Sequence, residues 1–331
     1  MDIRALLLAT ISFGIAGCPS TWNCKPDSEE VSLEGADVTM ADIQYILDGW
    51  GHEDSTSIEC YQVCATAYRR TRGWEVSVED ADCSYSLDET IEPAADTGAF
   101  DGDEVVGSVT CSGTGFEYYC EGRRPLGHLE ETACGDDLGG YLAHCAHLEA
   151  ASTTAFRQLA AQLRRWGAPA DLIDRCLRAA REESEHADTV TALATARGGD
   201  VVAPRRQPAE ETLLQVALHN ATEGCVFETW AALAAYLKAG RAEDAEVRSA
   251  YARIAQEEAG HGQLAWDLHA WLMGQLSAAE QAQVRAAQRD ALARLPQIAA
   301  AQARRTPAAL GMPAPDTVAE MAAHLRTRLA A

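Results

Sequence analysis

The feature that most constrains this chain is a pattern of glutamate and histidine that occurs twice between residues 139 and 273. A lone Glu149 precedes the segment Glu183-Ser-Glu-His186, and a lone Glu223 precedes the segment Glu258-Ala-Gly-His261. The lone glutamates lie 34 and 35 residues before the glutamates that open these two segments. The second half of the region therefore repeats the first.

Each Glu-x-x-His segment offers two metal ligands side by side if it is helical, because residues i and i+3 share a helix face. Four carboxylates and two imidazoles on four helices form the donor set of a two-metal carboxylate site, with coordination positions left open. Such pairs in Ala/Glu/Arg-rich helices more often lie on a solvated face. Here apolar residues flank these positions, and a charge among apolar neighbours is costly to bury unless it is paired or bound to metal.

This set of residues resembles the ferritin-like superfamily of carboxylate-bridged dimetal proteins, over residues 136–275. The resemblance implies a four-helix bundle that holds two iron ions, with manganese as the alternative. It implies terminal ligands at Glu149 and Glu223, bridging ligands at Glu183 and Glu258, and imidazole ligands at His186 and His261. A rubredoxin-like Cys-x-x-Cys pair is absent from the sequence, which argues against a rubrerythrin proper.

Three further residues of this region are candidates for supporting the ligands. His219 is a candidate donor or seventh ligand, Asn220 a candidate for orienting a ligand, and Tyr251 a candidate radical or proton donor. Each of these residue types is more common as a packed core or surface residue. Cys145 and Cys225 lie within about a turn of a predicted ligand, and with Cys176 they are expected to be buried, inert thiols.

Hydrophobic periodicity predicts the positions of the remaining helices, and glycine and proline predict where they end. Bundle helices are predicted over 139–166, from Asp171 to Gly198, over 209–239 and over 242–273. The extended segment Gly199–Ala209 reaches roughly 36 Å, which is long enough for the crossover between the two halves of such a bundle. A further helix capped by Ser277 and a last one over 316–330 are expected to cover the bundle.

The first 17 residues are typical of an export signal, with Arg4 followed by an apolar run that is too short to span a membrane. The run ends in Ile15-Ala16-Gly17-Cys18, which resembles the lipobox of bacterial lipoproteins. That resemblance implies cleavage before Cys18, a diacylglycerol on its thiol, and attachment to a membrane of the bacterial cell envelope. An ordinary signal peptide is the alternative.

The chain has eleven cysteines, and their density in an exported protein favours disulfides over a zinc site. The candidates are Cys24, Cys60, Cys64, Cys83, Cys111, Cys120 and Cys134, with the pairing left open. Helices are expected over 38–50 and 59–70, a strand over 73–87, and a hairpin whose turn is Ser112-Gly-Thr-Gly115. The basic stretch Gly122-Arg-Arg-Pro125 is either a docking segment or a simple linker.

We therefore predict a mainly α fold, with a ferritin-like four-helix bundle and extra C-terminal helices after a small disulfide-rich α+β domain. The expected organisation is a lipoprotein signal peptide at 1–17, a tether at 18–37, a Cys-rich α+β domain at 38–124, a linker at 125–138, the bundle at 139–275 and C-terminal helices at 276–331.

The formal net charge of −23 argues against a nucleic-acid partner, which would require a basic face. The predicted function is that of an exported, membrane-anchored di-iron oxidoreductase that activates dioxygen or peroxide, as an oxidase, a ferroxidase or an oxygenase. The alternative is a non-catalytic binding protein of the cell envelope with a structural or vestigial metal site. The sequence names neither an organic substrate nor a protein partner.

Overall fold

The computed structural model describes residues 2–11, 27–50, 54–72, 77–91, 104–117, 123–125, 128–129, 137–206 and 212–330. The described chain is mainly helical and forms two compact units. The larger unit comprises Met1–Cys24, Tyr119–Arg206 and Glu211–Ala331, and the smaller comprises Lys25–Tyr118 and Gln207–Glu210.

The elements are, in chain order, α1 (Ile3–Ile11), β1 (Asp27–Thr39), α2 (Met40–Trp50), α3 (Cys60–Arg72), β2 (Ser77–Leu87), β3 (Val105–Glu117), β4 (His128–Leu129), α4 (Leu138–Arg165), α5 (Ala170–Thr195), β5 (Arg205–Arg206), α6 (Leu213–His219), a π-helical segment (Asn220–Glu228), α7 (Thr229–Arg241), α8 (Ala245–Met273), α9 (Ala278–Arg305) and α10 (Pro315–Leu329). Short 3₁₀ turns occupy Ser55–Ser57 and Ala308–Leu310.

The larger unit contains the helical bundle that the sequence predicts. Helix α4 packs against α5, α7 packs against α8, and α5 packs against α8. The link between α4 and α5 turns at Gly167, whose φ of 71° favours a residue without a Cβ. Asp137 begins α4 by accepting a hydrogen bond of 2.8 Å from the Gly140 N–H. A capping box formed by Ser277 and Glu280 begins α9, as expected from Ser277.

The third bundle helix differs from the single α-helix predicted over 209–239. It begins as α6, continues through the π-helical segment Asn220–Glu228, and returns to α-helix in α7. A π-helix closes its hydrogen bonds between residues i and i+5, and such segments are frequent at functional sites. The wider turn changes which side chains face the bundle interior, because the 3.6-residue period no longer holds there.

Helix α1 packs on the bundle through the apolar run that the sequence assigns to an export signal. Ile3, Leu6 and Leu7 are buried in a cluster that also contains Leu233 of α7 and Val318 of α10. Cleavage before Cys18 and lipidation stay predictions, and Cys18 lies outside the described residues. Among the described helices, none combines the length and the apolar character that crossing a membrane requires.

The smaller unit is built on a three-stranded antiparallel sheet in the order β1–β3–β2. Two disulfides, Cys60–Cys83 and Cys64–Cys111, join α3 to β2 and β3. The prediction of disulfides in this region is therefore confirmed for these four cysteines. The other three candidates, Cys24, Cys120 and Cys134, lie outside the described residues. The apolar faces of α2 and α3 form a small core with Val106 and Val109 of β3.

Two local predictions in this unit are wrong. Residues 27–37, predicted as part of a tether, belong to β1, which continues to Thr39 where a helix was expected. The acidic side chains hide this strand in the sequence, while the partner β3 pairs with its backbone. The predicted turn at 112–115 lies inside β3, where Gly113 pairs with Val31 and Gly115 with Val78. Glycine marks turns, yet it is tolerated where another backbone approaches closely.

Candidate metal centre

The bundle brings six ionisable side chains together in two overlapping groups. The first group is Glu149, Glu183, His186 and Glu258, and the second is Glu183, Glu228, Glu258 and His261. Within each group the potential ligand atoms lie within 4.8 Å of one another. Glu183 and Glu258 belong to both groups, and all six side chains are buried. The centre draws on α4, α5, the π-helical segment and α8.

The inward-facing atoms of this cluster lack hydrogen-bond partners within the described part of the chain. They are one oxygen each of Glu149 and Glu258, both oxygens of Glu183 and Glu228, and the Nδ1 atoms of His186 and His261. His186 Nδ1 lies 3.3 Å from Glu258 Oε1, and His261 Nδ1 lies 3.1 Å from Glu183 Oε1. Four carboxylates also balance the charge of two divalent cations. The residues therefore fit a pair of such ions.

The electrostatics of the metal-free cluster also fit a site for cations. Burial and the charge of Glu183 raise the pKa of Glu149 well above the usual range, and burial and the charge of Glu258 do the same for Glu228. Burial would also raise the pKa of Glu183, but the two histidines lower it. Burial would lower the pKa of His186 and His261, but the surrounding carboxylates raise both above their ordinary value. Without metal the centre therefore holds protons, which a bound cation must displace.

Two outer carboxylates that the sequence analysis did not single out fix the histidines. His186 Nε2 lies 2.7 Å from Glu257 Oε2, and His261 Nε2 lies 3.0 Å from Glu182 Oε2. Glu257 of α8 directly precedes Glu258, and Glu182 of α5 directly precedes Glu183, so the arrangement is reciprocal between the two helices. An Nε2–H donated outward leaves Nδ1 free to face a metal. The signal was present in the sequence as a doubled glutamate before each histidine, Glu-Glu-x-x-His.

Glu223, predicted as a terminal ligand, does not lie in either group. Its Oε1 atom is 3.4 Å from Arg124 Nη2, and Glu228 stands in the cluster instead. Both residues belong to the π-helical segment, where five residues make little more than one turn. An α-helical period therefore points to Glu223, whose spacing to Glu258 matches the first half, whereas the structure places Glu228 in the cluster.

The three supporting candidates also lie elsewhere. His219 Nε2 is 2.9 Å from the Arg124 carbonyl oxygen. Asn220 Oδ1 accepts a hydrogen bond of 2.7 Å from Arg123 Nη2. Tyr251 is buried with its ring centroid 4.8 Å from Lys238 Nζ, and neither ligand group includes it. His219 and Asn220 thus hold the segment 123–125 against the bundle.

The bundle cysteines fit the expectation of unreactive thiols. Cys145, Cys176 and Cys225 are buried and form no disulfide. Burial raises the pKa of Cys176 to about 12 and raises that of Cys225 further. Thiols with such high pKa values carry little of the reactive thiolate at neutral pH.

A cavity of about 300 Å³ reaches the outer edge of the centre. Its walls include Glu182, Glu257 and His261. Asp2 and Arg4 also line it, and the predicted cleavage before Cys18 would remove both. A small molecule in this cavity would lie against His261 and the carboxylate that orients it. The cavity also adjoins Glu257, the carboxylate that contacts His186 of the first group, so both groups have an outer residue in its wall.

Comparisons with known proteins add no family or relative. No family model matches the chain, and no curated protein or solved structure matches it either. The functional conclusion therefore rests on the residues themselves.

Proposed function

We propose that this protein is a ferritin-like dimetal protein that binds two iron ions, with manganese as the alternative, and activates dioxygen or peroxide. It would act as an oxidase, a ferroxidase or an oxygenase. The observation that supports this proposal is the convergence of six buried side chains from four helical elements, with two carboxylates common to both groups. Glu–His pairs scattered over the surface would be exposed, and they would have no carboxylate in common.

The residues divide into roles by their place in the cluster. Glu183 and Glu258 would bridge the two ions, because each belongs to both groups. Glu149 and His186 would complete the first ion's ligands, and Glu228 and His261 the second's. When bound, the metal pair would supply redox chemistry and Lewis acidity toward an oxygen-containing substrate.

The other residues act on these ligands and on solvent. Glu182 and Glu257 hold the outward imidazole nitrogens and so orient Nδ1 of each histidine inward. The apolar ring of Phe156 packs on His261, with ring centroids 5.2 Å apart, and limits water on that side of the cluster. Carboxylates in such an environment bind cations more tightly than exposed ones do. The protein thus contributes a shaped, charged and largely dry site.

Export and lipid attachment are part of the same proposal. The apolar run before Cys18 supports them, and so do the two disulfides of the smaller unit, which are typical of oxidising compartments. Mass spectrometry of the N-terminal peptide tests this point. A diacylated Cys18 is the expected result, and an intact Met1 on the mature protein would contradict it.

The metal proposal is tested by anaerobic loading with Fe(II), followed by exposure to oxygen with optical monitoring. We expect two equivalents of iron in the wild type and oxidation on exposure to oxygen. A double variant, Glu183→Gln with Glu258→Gln, should bind almost none. Metal that is retained without oxygen consumption would favour the alternative of a structural site, and no metal in the wild type would contradict the proposal.

A further inference from the structure

Three histidines meet on the side of α4 that faces away from the dimetal centre. His144 and His147 are three residues apart on α4 and therefore share one face of the helix. His147 precedes Glu149 by two residues, which places the two side chains about 200° apart around the helix axis. His128 of β4 contacts His147 on this outer face. The three histidines are therefore a cluster separate from the ligands of the centre.

All three imidazoles of this cluster are buried. His128 is 4% exposed, His144 9% and His147 2%. The ring of His147 lies between the other two, with centroids 5.1 Å from the ring of His128 and 6.3 Å from that of His144. Within the described part of the chain, none of them forms an ion pair with a carboxylate. Burial is the main cause that lowers the pKa of His128 to about 3 and that of His144 to about 4. Both rings are therefore neutral at physiological pH, as metal ligands must be.

The hydrogen bonds of the cluster direct nitrogen lone pairs toward one point. His147 Nδ1 lies 2.8 Å from the Val202 carbonyl oxygen, so Nδ1 carries the proton and donates it. His147 Nε2 then presents its lone pair, and a backbone carbonyl that holds the other ring nitrogen is typical of metal-bound histidine. This Nε2 lies 3.3 Å from His128 Nε2. His128 Nδ1 is buried and has no hydrogen-bond partner in the described chain, so no contact there keeps the proton of His128 on Nε2.

The distance between the two Nε2 atoms matches that of two ligands of one metal ion. Nitrogen atoms bound at 2.0 to 2.1 Å in a tetrahedral arrangement lie about 3.3 Å apart. The observed 3.3 Å is long for a hydrogen bond from an N–H, which usually spans about 2.7 to 3.2 Å. His144 lies one turn before His147 on the same face, so a rotation of its side chain can supply a third nitrogen.

The surroundings of the cluster favour a singly charged ion. Imidazole nitrogen is a good ligand for copper and zinc. Three neutral ligands leave the charge of a bound ion unbalanced, and the guanidinium of Arg124 is close enough to disfavour a positive charge on His128. A buried single charge costs less free energy than a buried double charge. Cu(I) therefore fits these ligands better than Zn(II) does.

We propose that His128, His144 and His147 form a binding site for one Cu(I) ion, separate from the dimetal centre. The site would join β4 to the outer face of α4. Val202, which holds His147, belongs to the predicted crossover Gly199–Ala209. A bound ion would therefore fix both the chain before the bundle and the crossover onto α4.

The test is anaerobic binding of Cu(I) in competition with a chromophoric Cu(I) chelator. We expect one tight equivalent in the wild type and also in the double variant Glu183→Gln with Glu258→Gln, which lacks the shared carboxylates of the centre. Loss of an outer partner of a metal ligand costs about 10- to 100-fold in affinity, so His147→Gln and His128→Gln should each cost more than about 100-fold. His324→Gln, on α10, is the matched control and should leave the affinity unchanged.

X-ray absorption at the copper edge identifies the ligand atoms in the same samples. Nitrogen neighbours at about 2 Å without sulfur support the site, and sulfur neighbours overturn it in favour of a buried thiol such as Cys145. Equal Cu(I) affinity in the wild type and in His147→Gln also overturns it, and the contact between His128 and His147 is then a hydrogen bond only. Binding of Zn(II) but not Cu(I) at these histidines overturns the assignment of the ion.

The outcomes are independent of the proposed dimetal function. A wild type that binds one Cu(I) but no iron contradicts the dimetal function alone, and one that binds two iron ions but no Cu(I) overturns the copper site alone. If the histidine variants do not fold, anomalous diffraction from wild-type crystals soaked in Cu(I) decides the question. A copper peak between His128 Nε2 and His147 Nε2 supports the site, and no peak there overturns it.

Discussion

The two halves of the centre present the same types of side chain by different backbone routes. In the first half, Glu149 and Glu183 come from the uninterrupted α-helices α4 and α5. In the second half, Glu228 ends a π-helical segment, and only the partner Glu258 comes from a regular α-helix. The cavity is lined by His261 of the second half and by the outer carboxylates of both halves, Glu182 and Glu257. The types of side chain are therefore symmetric, while the backbone that presents them is regular in one half and π-helical in the other.

The largest expected effect comes from a carboxylate that both halves share. Glu183→Gln should reduce the bound metal from two equivalents to nearly none, because each ion loses a ligand and the buried charge balance. Glu149→Gln is the matched comparison, since Glu149 belongs to the first group alone. The Glu149→Gln change should weaken the binding of one ion and leave the binding of the other unchanged. Metal analysis after equilibrium dialysis measures both variants, and equal losses in the two would contradict the shared role of Glu183.

The next largest effect is expected for Glu228, which the π-helical segment contributes to the second half of the centre. Glu228→Gln should remove or strongly weaken one equivalent of metal, because its two inward oxygens have no other partner in the described chain. Glu223→Gln should keep two equivalents, since Glu223 contacts Arg124. Isothermal titration with Co(II) measures the number of sites and the affinities. Loss of metal in Glu223→Gln with retention in Glu228→Gln would reverse the assignment.

The pH dependence of metal affinity should reflect both halves. The raised pKa values of His186, His261, Glu149 and Glu228 mean that the metal-free centre keeps its protons to a higher pH than the same groups would in water. Metal binding must release these protons, so affinity rises with increasing pH and falls as the pH is lowered. Each proton released contributes about tenfold per pH unit in the affected range. Titrations in buffers of different ionisation enthalpy count the released protons, and a pH-independent affinity would contradict the account.

The smallest effect concerns the outer carboxylates. Glu257→Gln in contact with His186, and Glu182→Gln in contact with His261, should each weaken metal binding by about 10- to 100-fold without abolishing it. Both variants should also affect ligands in the cavity, because Glu182 and Glu257 both line it. Competition with a chelator measures both affinities. If neither variant changes them, the outer carboxylates do not orient the histidines.

The sequence was sufficient to predict the residues of the centre where the backbone is a regular α-helix. Glu183, His186, Glu258 and His261 could be placed together because i and i+3 residues share a face on any α-helix. Glu228 was missed because nothing in the hydrophobic period marks a π-helical segment, and Glu223 stood at the spacing that a regular helix would require. The burial of Arg123 could not be predicted, because its hydrogen bonds with Ser152 and Asn220 join positions 29 and 97 residues away.

Outside the centre, too, features set by the local sequence were predictable and features set by tertiary contacts were not. Helix ends with capping residues, such as Ser277, were predictable from local sequence. Strand β1 was not, because its acidic residues hide the alternation of Val31 and Leu33, and pairing with β3 is a tertiary effect. The two disulfides followed from cysteine density, whereas their pairing required the positions of α3, β2 and β3.

Anomalous diffraction at the iron absorption edge, on crystals loaded anaerobically with Fe(II), tests the central claim most directly. We predict two peaks, each bound by both Glu183 and Glu258, one also by Glu149 and His186 and the other by Glu228 and His261. Iron found only at surface carboxylates, or no iron between these helices, would contradict a dimetal centre in this bundle.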